Sequence, residues 1–319
     1  MRHYFLFFLL SIALFSCTKE PKYKVDVSGI DVEVKVQRFD QDFYQSQPED
    51  LNRLKQIYPQ LFPVETPDSI WLAKIADEDE RFLFQETQKV FDDFDKIKKD
   101  LEQLFKHVKY YNPDFIIPNV ITVLSNVDYE YRTIYTASTV FISLDVYLGK
   151  ESEVYADYPD YIKENTKPER IAVDLASQII EIQVKPSLNR TLLGKMIAAG
   201  KKMYLLDAYV PSKSDAVKIG YSEEKFLWAE ANESQVWRYF IENNLLYSTD
   251  TKLNQRFLDE APFSKFYLSE DSNSPGRIGQ WMGWQIVRSF MEKNDVSLQT
   301  LLQMNEEELF KKANYKPRK

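Results

Sequence analysis

Three polar side chains stand out in the helix-length run IAVDLASQIIEI that begins at Ile171. Asp174, Ser177 and Glu181 recur at intervals of three and four, so a helix sets them on one face. A proline-containing stretch follows, and then a second helix-length run, TLLGKMIAAGKKMYLLDAYV, from Thr191 to Val210. A zinc hydrolase carries HExxH on the first helix of such a pair and a glutamate on the second. The two imidazoles hold the metal and the glutamate between them activates water. Here the first helix offers Val-Asp-Leu-Ala-Ser and the second Ala-Ala-Gly. The face carrying Asp174, Ser177 and Glu181 is therefore expected to be a solvated polar stripe, opposite Ile171, Leu175, Ile179 and Ile182.

Other catalytic groups are as scarce. The chain has 2 histidines, and only His107 lies beyond the N-terminal apolar run, in a different helix among Lys and Phe. Its 1 cysteine is Cys17. Carboxylates alone suit hard cations rather than zinc, and no D-x-[DN]-x-[DN]-G calcium loop occurs. No metal or other cofactor is expected. No GxSxG elbow is present, and no glycine-rich phosphate loop among the 8 glycines. A glycosidase pair stays open, because 49 acidic residues do not disclose their separations. In SPGRIGQWMGWQIVRSF, Gly279 and Gly283 lie one turn apart and admit close helix packing. Trp281 and Trp284 beside them read as core anchors rather than sugar platforms. The stretch with Arg256, Phe257, Phe263 and Phe266 reads as a loop stitching helices together, with a docking surface as the alternative.

The N-terminus carries the most specific signal. MRHYFLFFLLSIALFSC places Arg2 before an apolar run from Tyr4 to Phe15, then Ser16-Cys17. About 12 apolar residues are too few to span a bilayer and match the core of a signal peptide. Leu14 and Ser16 fit a lipobox, with Phe15 bulkier than usual. Residues 1–16 are read as a cleaved signal peptide, 17–28 as a lipidated tether from Cys17, and 29–319 as one domain. Acylation also accounts for a lone thiol in an exported chain. Removing Arg2 takes the net charge from -8 to about -9, which argues against a nucleic-acid partner.

Hydrophobic residues make up 44% of the 319 positions and charged ones 28%, so the body folds. The alternation in IDVEVKV (30–36) predicts a strand, and RFDQDFYQ a helix with Asp40 as its cap. Residues 71–109 predict continuous helix, with Phe91, Phe94, Ile97, Leu101, Leu104, Phe105 and Val108 on its buried face. Residues 115–148 predict strands around a turn at Asn126–Asp128. Five helix-length runs follow: 169–182, 191–210, 224–243, 276–294 and 297–312. The class is α+β: a small mixed or antiparallel sheet in the N-terminal half, and a mainly helical C-terminal half.

The run from ANESQVWRYFIENN to GRIGQWMGWQIVRSFMEKN, RFDQDFY near the start and a closing YKP resemble the gliding-motility lipoprotein GldB family of the Bacteroidetes. The resemblance covers about residues 28–317. It implies a lipid-anchored envelope protein tied to gliding and to the linked type IX secretion apparatus. Other gliding and secretion proteins are its implied partners, and whether the cleft takes a small-molecule ligand is left open. The outer membrane is favoured over the inner, and its periplasmic face over the cell surface. The family in turn resembles zincin peptidases with the metal site lost. Val173 and Ser177 then stand at the histidine positions, Asp174 at the glutamate, and Ala199 at the third ligand. The implied role is non-catalytic, a scaffold or stabilising partner. The alternatives are an envelope hydrolase, or a peptide- or glycan-binding module using the degenerate cleft. That cleft is expected between a sheet edge near Phe141–Leu148 and the Ile171 helix.

Replacing Cys17 with Ala is expected to abolish incorporation of labelled palmitate and to move the protein from the membrane to the soluble fraction, since no second lipid signal is encoded. Retained label on the variant refutes the assignment.

Overall fold

The computed structural model describes residues 21–318, so the apolar leader and Cys17 lie outside the described residues. The expected alternation is realised in burial: Val32 and Val34 are buried while Asp31, Glu33 and Lys35 are exposed. As a strand, however, β1 is only Val36–Gln37, pairing in parallel with β2 (Asn119–Val123). The register Val36↔Val120 sets Val34 opposite Pro118, and proline cannot donate to a ladder. That is why the strand expected over 30–36 is shorter.

The helices α1 (Phe39–Tyr44), α2 (Leu51–Ile57), α3 (Asp68–Ala76), α4 (Glu78–Phe91) and α5 (Asp95–Tyr111) lie between these strands. The continuous run expected over 71–109 breaks twice, each time at an aspartate. Asp77 accepts from the Glu80 N–H at 2.9 Å and starts α4. Asp93 accepts from the Asp95 N–H at 2.7 Å and starts α5. Such carboxylates compete with the helix ladder for backbone donors. Asp40 corrects another expectation. It lies inside α1 rather than capping it, fully buried. It accepts from Arg38 Nε (3.0 Å) and Nη2 (2.8 Å), from Gln88 Nε2 (3.1 Å) and from the Thr122 hydroxyl.

After β2 come β3 (Thr133–Tyr135) and β4 (Thr139–Ser143), in the order β1-β2-β4-β3. β1, β2 and β4 run parallel, and β3 is the antiparallel edge. Phe141 therefore sits on an interior strand, and the expected sheet edge is β3 instead. The turn after β2 holds Asn126 and Val127 at φ 56 and 60. That conformation is costly for a β-branched residue. It is secured by the buried Asp145, whose carboxylate accepts from the Ser125 N–H at 3.0 Å and the Val127 N–H at 2.7 Å. Both sheet faces are covered, as parallel pairing requires. Ile121 and Phe141 meet the aromatic cluster of Phe39, Phe43, Tyr58 and Phe62, while Val120, Val140 and Ile142 join the larger core.

That larger core belongs to the helical half: α6 (Asp160–Lys163), α7 (Ile171–Gln183), α8 (Leu192–Tyr209), α9 (Asp215–Ile219), α10 (Glu223–Ala231), α11 (Glu233–Glu242), α12 (Lys252–Phe257), α13 (Ile278–Lys293), α14 (Leu298–Gln303) and α15 (Glu306–Ala313). The runs expected over 224–243 and 297–312 each divide, the second because Asn305 caps α15 by accepting from the Glu307 N–H at 2.9 Å. α8 and α13 cross in contact at Gly200 and Gly283. A Cβ on Gly200 would lie 2.2 Å from Gly283 O, and one on Gly283 1.7 Å from Met196 O. Trp281 and Trp284 are fully buried beside the crossing, so neither presents a ring to a sugar. The N-terminal stretch is stapled to this half. Lys22 Nζ donates to Asn294 O at 2.6 Å, and Tyr23 packs edge-on against Tyr204 at 5.8 Å. Among the described residues no helix is long and apolar enough to cross a membrane.

The Gly283→Ala change is expected to lower stability to urea by about 2–3 kcal/mol, because neither backbone can retreat. Gly29→Ala has nothing within 4 Å of the new methyl and is expected to shift stability by less than about 1 kcal/mol. Equal urea midpoints for the two variants contradict the close crossing.

Candidate functional site

One face of α7 fills the core with Ile171, Leu175, Ala176 and Ile179. The other borders a groove of about 1420 Å³ that runs between α7, α8 and the segment 299–306. Asp174, Ser177 and Ala199 all line this groove. Val173 does not: it is fully buried in the core, because position 173 lies about 100° around the helix from 174. Ile182, expected on the apolar face, is 68% exposed.

Asp174 is not part of a solvated stripe. It is 3% exposed and accepts from Arg170 Nη2, from Arg132 Nε at 2.9 Å and from the Tyr147 hydroxyl at 2.9 Å. Burial alone would raise its carboxyl, but the guanidiniums of Arg170 and Arg132 outweigh that and hold it below the ordinary carboxylate range. Burial pushes the Tyr147 phenol well above its ordinary value, so it stays a donor. Arg132 also donates to Tyr129 O at 2.9 Å and stacks over the Tyr129 ring at 4.2 Å. Burial pushes the Tyr129 phenol up to about 12. Arg170 precedes Asp174 by one helical turn, so that pairing had a signal in the sequence. Arg132 and Tyr147 come from outside the helix and had none.

Further along the groove the expectation of a polar, solvated face holds. Ser177 donates to Val173 O at 2.9 Å, a local helix bond. Glu181 is exposed and pairs through both oxygens with Lys202 at 2.7 Å. Lys201 is buried and donates to Met304 O at 2.5 Å and to Glu306 at 3.2 Å, tying α8 to the start of α15. His107 lies on α5, buried, with Nδ1 2.8 Å from Gln103 O. Burial holds its imidazole below the ordinary value. Among the described residues no three or more His, Cys, Asp or Glu side chains are gathered as a metal would need.

Two other regions resolve into packing. Trp284 Nε1 donates to the buried Asp207 at 2.8 Å, which also receives Lys218 Nζ (2.8 Å) and Arg288 Nη2 (2.7 Å). Phe257 and Phe266 are buried, and Arg256 donates to the Tyr239 hydroxyl at 3.0 Å and to Lys265 O at 2.8 Å, so that loop stitches helices.

Residues 20–317 match a family model described as gliding motility protein GldB. No curated protein and no solved structure matches the chain. The family match spans nearly the whole body, so the chain belongs to the GldB family of gliding motility lipoproteins.

An Asp174→Asn change leaves the buried Arg170 and the half-buried Arg132 guanidiniums sharing no carboxylate, and is expected to cost about 3 kcal/mol at neutral pH. Because the folded-state carboxyl is depressed, its contribution is complete above the unfolded value of about 3.9 and is lost as pH falls through the folded value. Urea unfolding at several pH values is expected to show a shallower acid loss below about pH 4 in the variant than in the parent. Parallel curves refute a charged Asp174.

Proposed function

We propose that this member of the GldB family is a non-catalytic, lipid-anchored scaffold of the gliding and type IX secretion apparatus. It is held by acyl chains on Cys17, at the periplasmic face of the outer membrane, and it steadies partner envelope proteins. The supporting observation is the state of Asp174, the one deeply buried carboxylate on the groove side of α7. A general base works best with a pKa near the operating pH and with a free lone pair toward water. Asp174 has neither: two guanidiniums and a phenol occupy it and depress its proton affinity.

The groove flanked by Ser177 and Ala199 is retained as a surface for recognition. It corresponds in place to a zincin cleft, on the reading that α7 and α8 descend from such a helix pair. On its α7 wall, Ser177 and Glu181 bond to the protein's own groups rather than to each other.

The test is complementation of a deletion strain. Loss of the gene is expected to abolish spreading and to reduce export through the type IX route. A Cys17→Ala variant is expected to restore neither, because the body is no longer held at the membrane. A Cys17→Ala variant that restores spreading, or purified protein that cleaves a protein substrate with added zinc, overturns the reading.

A further inference from the structure

The charge on the groove runs against the charge of the chain. Over the whole sequence 49 acidic residues exceed 41 basic ones. Nine arginines and lysines, against five carboxylates, line the groove, two of the nine (Lys201 and Lys218) being buried in ion pairs with Glu306 and Asp207. A recess whose walls carry an excess of one sign concentrates the opposite charge.

The cations are also incompletely matched. Arg132 and Arg170 share the single carboxylate of Asp174. Arg170 is 6% exposed, and its Nε–H has no acceptor among the described residues. An orphaned buried donor carries the desolvation cost of a group still waiting for a partner. At the other end, Lys185 and Arg190 flank the loop between α7 and α8. Both are exposed, and neither makes a hydrogen bond or ion pair among the described residues.

We propose that this groove receives an acidic, extended polypeptide segment of a partner protein. The inference rests on the non-catalytic reading of the same site and names the chemistry of what it binds. Three observations favour a peptide over a compact anion. The volume of about 1420 Å³ exceeds the roughly 300–1,000 Å³ that suits a small ligand. Amide side chains, among them Gln178, Asn189 and Gln280, are interspersed along the lining and match peptide donors and acceptors. Glu130, Glu181, Glu260 and Glu306 also sit there, and they would repel a dense polyphosphate while leaving spaced carboxylates room between them.

The probe is a fluorescein-labelled decaglutamate peptide, titrated with the purified full-length protein in a non-ionic detergent. Anisotropy is expected to report saturable binding, lost in about 1 M salt, where the screening length falls to about 3 Å. A Lys185→Glu/Arg190→Glu variant is expected to bind at least about tenfold more weakly. Lys96→Glu/Lys99→Glu, an equal charge change on exposed α5 positions away from the groove lining, is expected to bind as the parent does. Binding no better than to decaserine, equal losses in both variants, or preference for inorganic polyphosphate each overturns the inference. Cleavage of the bound peptide is a different failure: it sinks the non-catalytic reading and leaves the binding inference standing.

Discussion

The crossing of α8 over α13 at Gly200 and Gly283 is the contact around which the helical half is arranged. With no side chain at either position the two backbones meet directly, and Met196 O comes to lie where a Gly283 methyl would be. This closeness has effects on both sides of α8. Toward the core it brings Asp207 within 2.8 Å of the Trp284 indole and 2.7 Å of Arg288, a buried charge matched on every side. Away from the core it presents Lys195, Ala199 and Lys202 to the groove. Thicker residues at the crossing would push α8 outward and narrow the groove.

Asp174 shows how one carboxylate changes character with its neighbours. On an isolated helix it is a surface acid with a mild attraction to Arg170 one turn earlier. In the fold, α7 is pressed beside the edge strand β3, and Arg132, just before β3, arrives at 2.9 Å. Tyr147 closes the third side from the segment after β4. The carboxylate then acts as a structural anion that ties the sheet to the helix. The same groove wall, two turns on, carries Glu181 in water. One helix face thus carries a buried structural carboxylate and, further on, a solvated one.

Much of the architecture was legible because it depends on local periodicity. The spacing of Ile97, Leu101, Leu104, Phe105 and Val108 marked the buried face of α5, and all five are buried. Gly279 and Gly283 announced a close approach, and Gly283 makes it with Gly200. Helix breaks were harder. Asp77, Asp93 and Asn305 end or begin helices by catching backbone N–H groups, while the apolar periodicity runs on unbroken past them. Strand length at β1 depended on Pro118, more than eighty positions away. The burial of Asp174 depended on Arg132, and the basic lining of the groove on residues scattered from 132 to 277. Non-local assembly of that kind leaves no trace in a window of a dozen residues.

The hydrogen bond from Lys22 to Asn294 O, just past the end of α13, has a geometric corollary. Five chain steps separate Cys17 from Lys22, and a fully extended chain covers at most about 18 Å over that distance. An acyl anchor on Cys17, as proposed above, would therefore moor the body on a short leash rather than on a long stalk. On that reading the pole bearing Lys22 and Asn294 is the one tethered nearest the lipid.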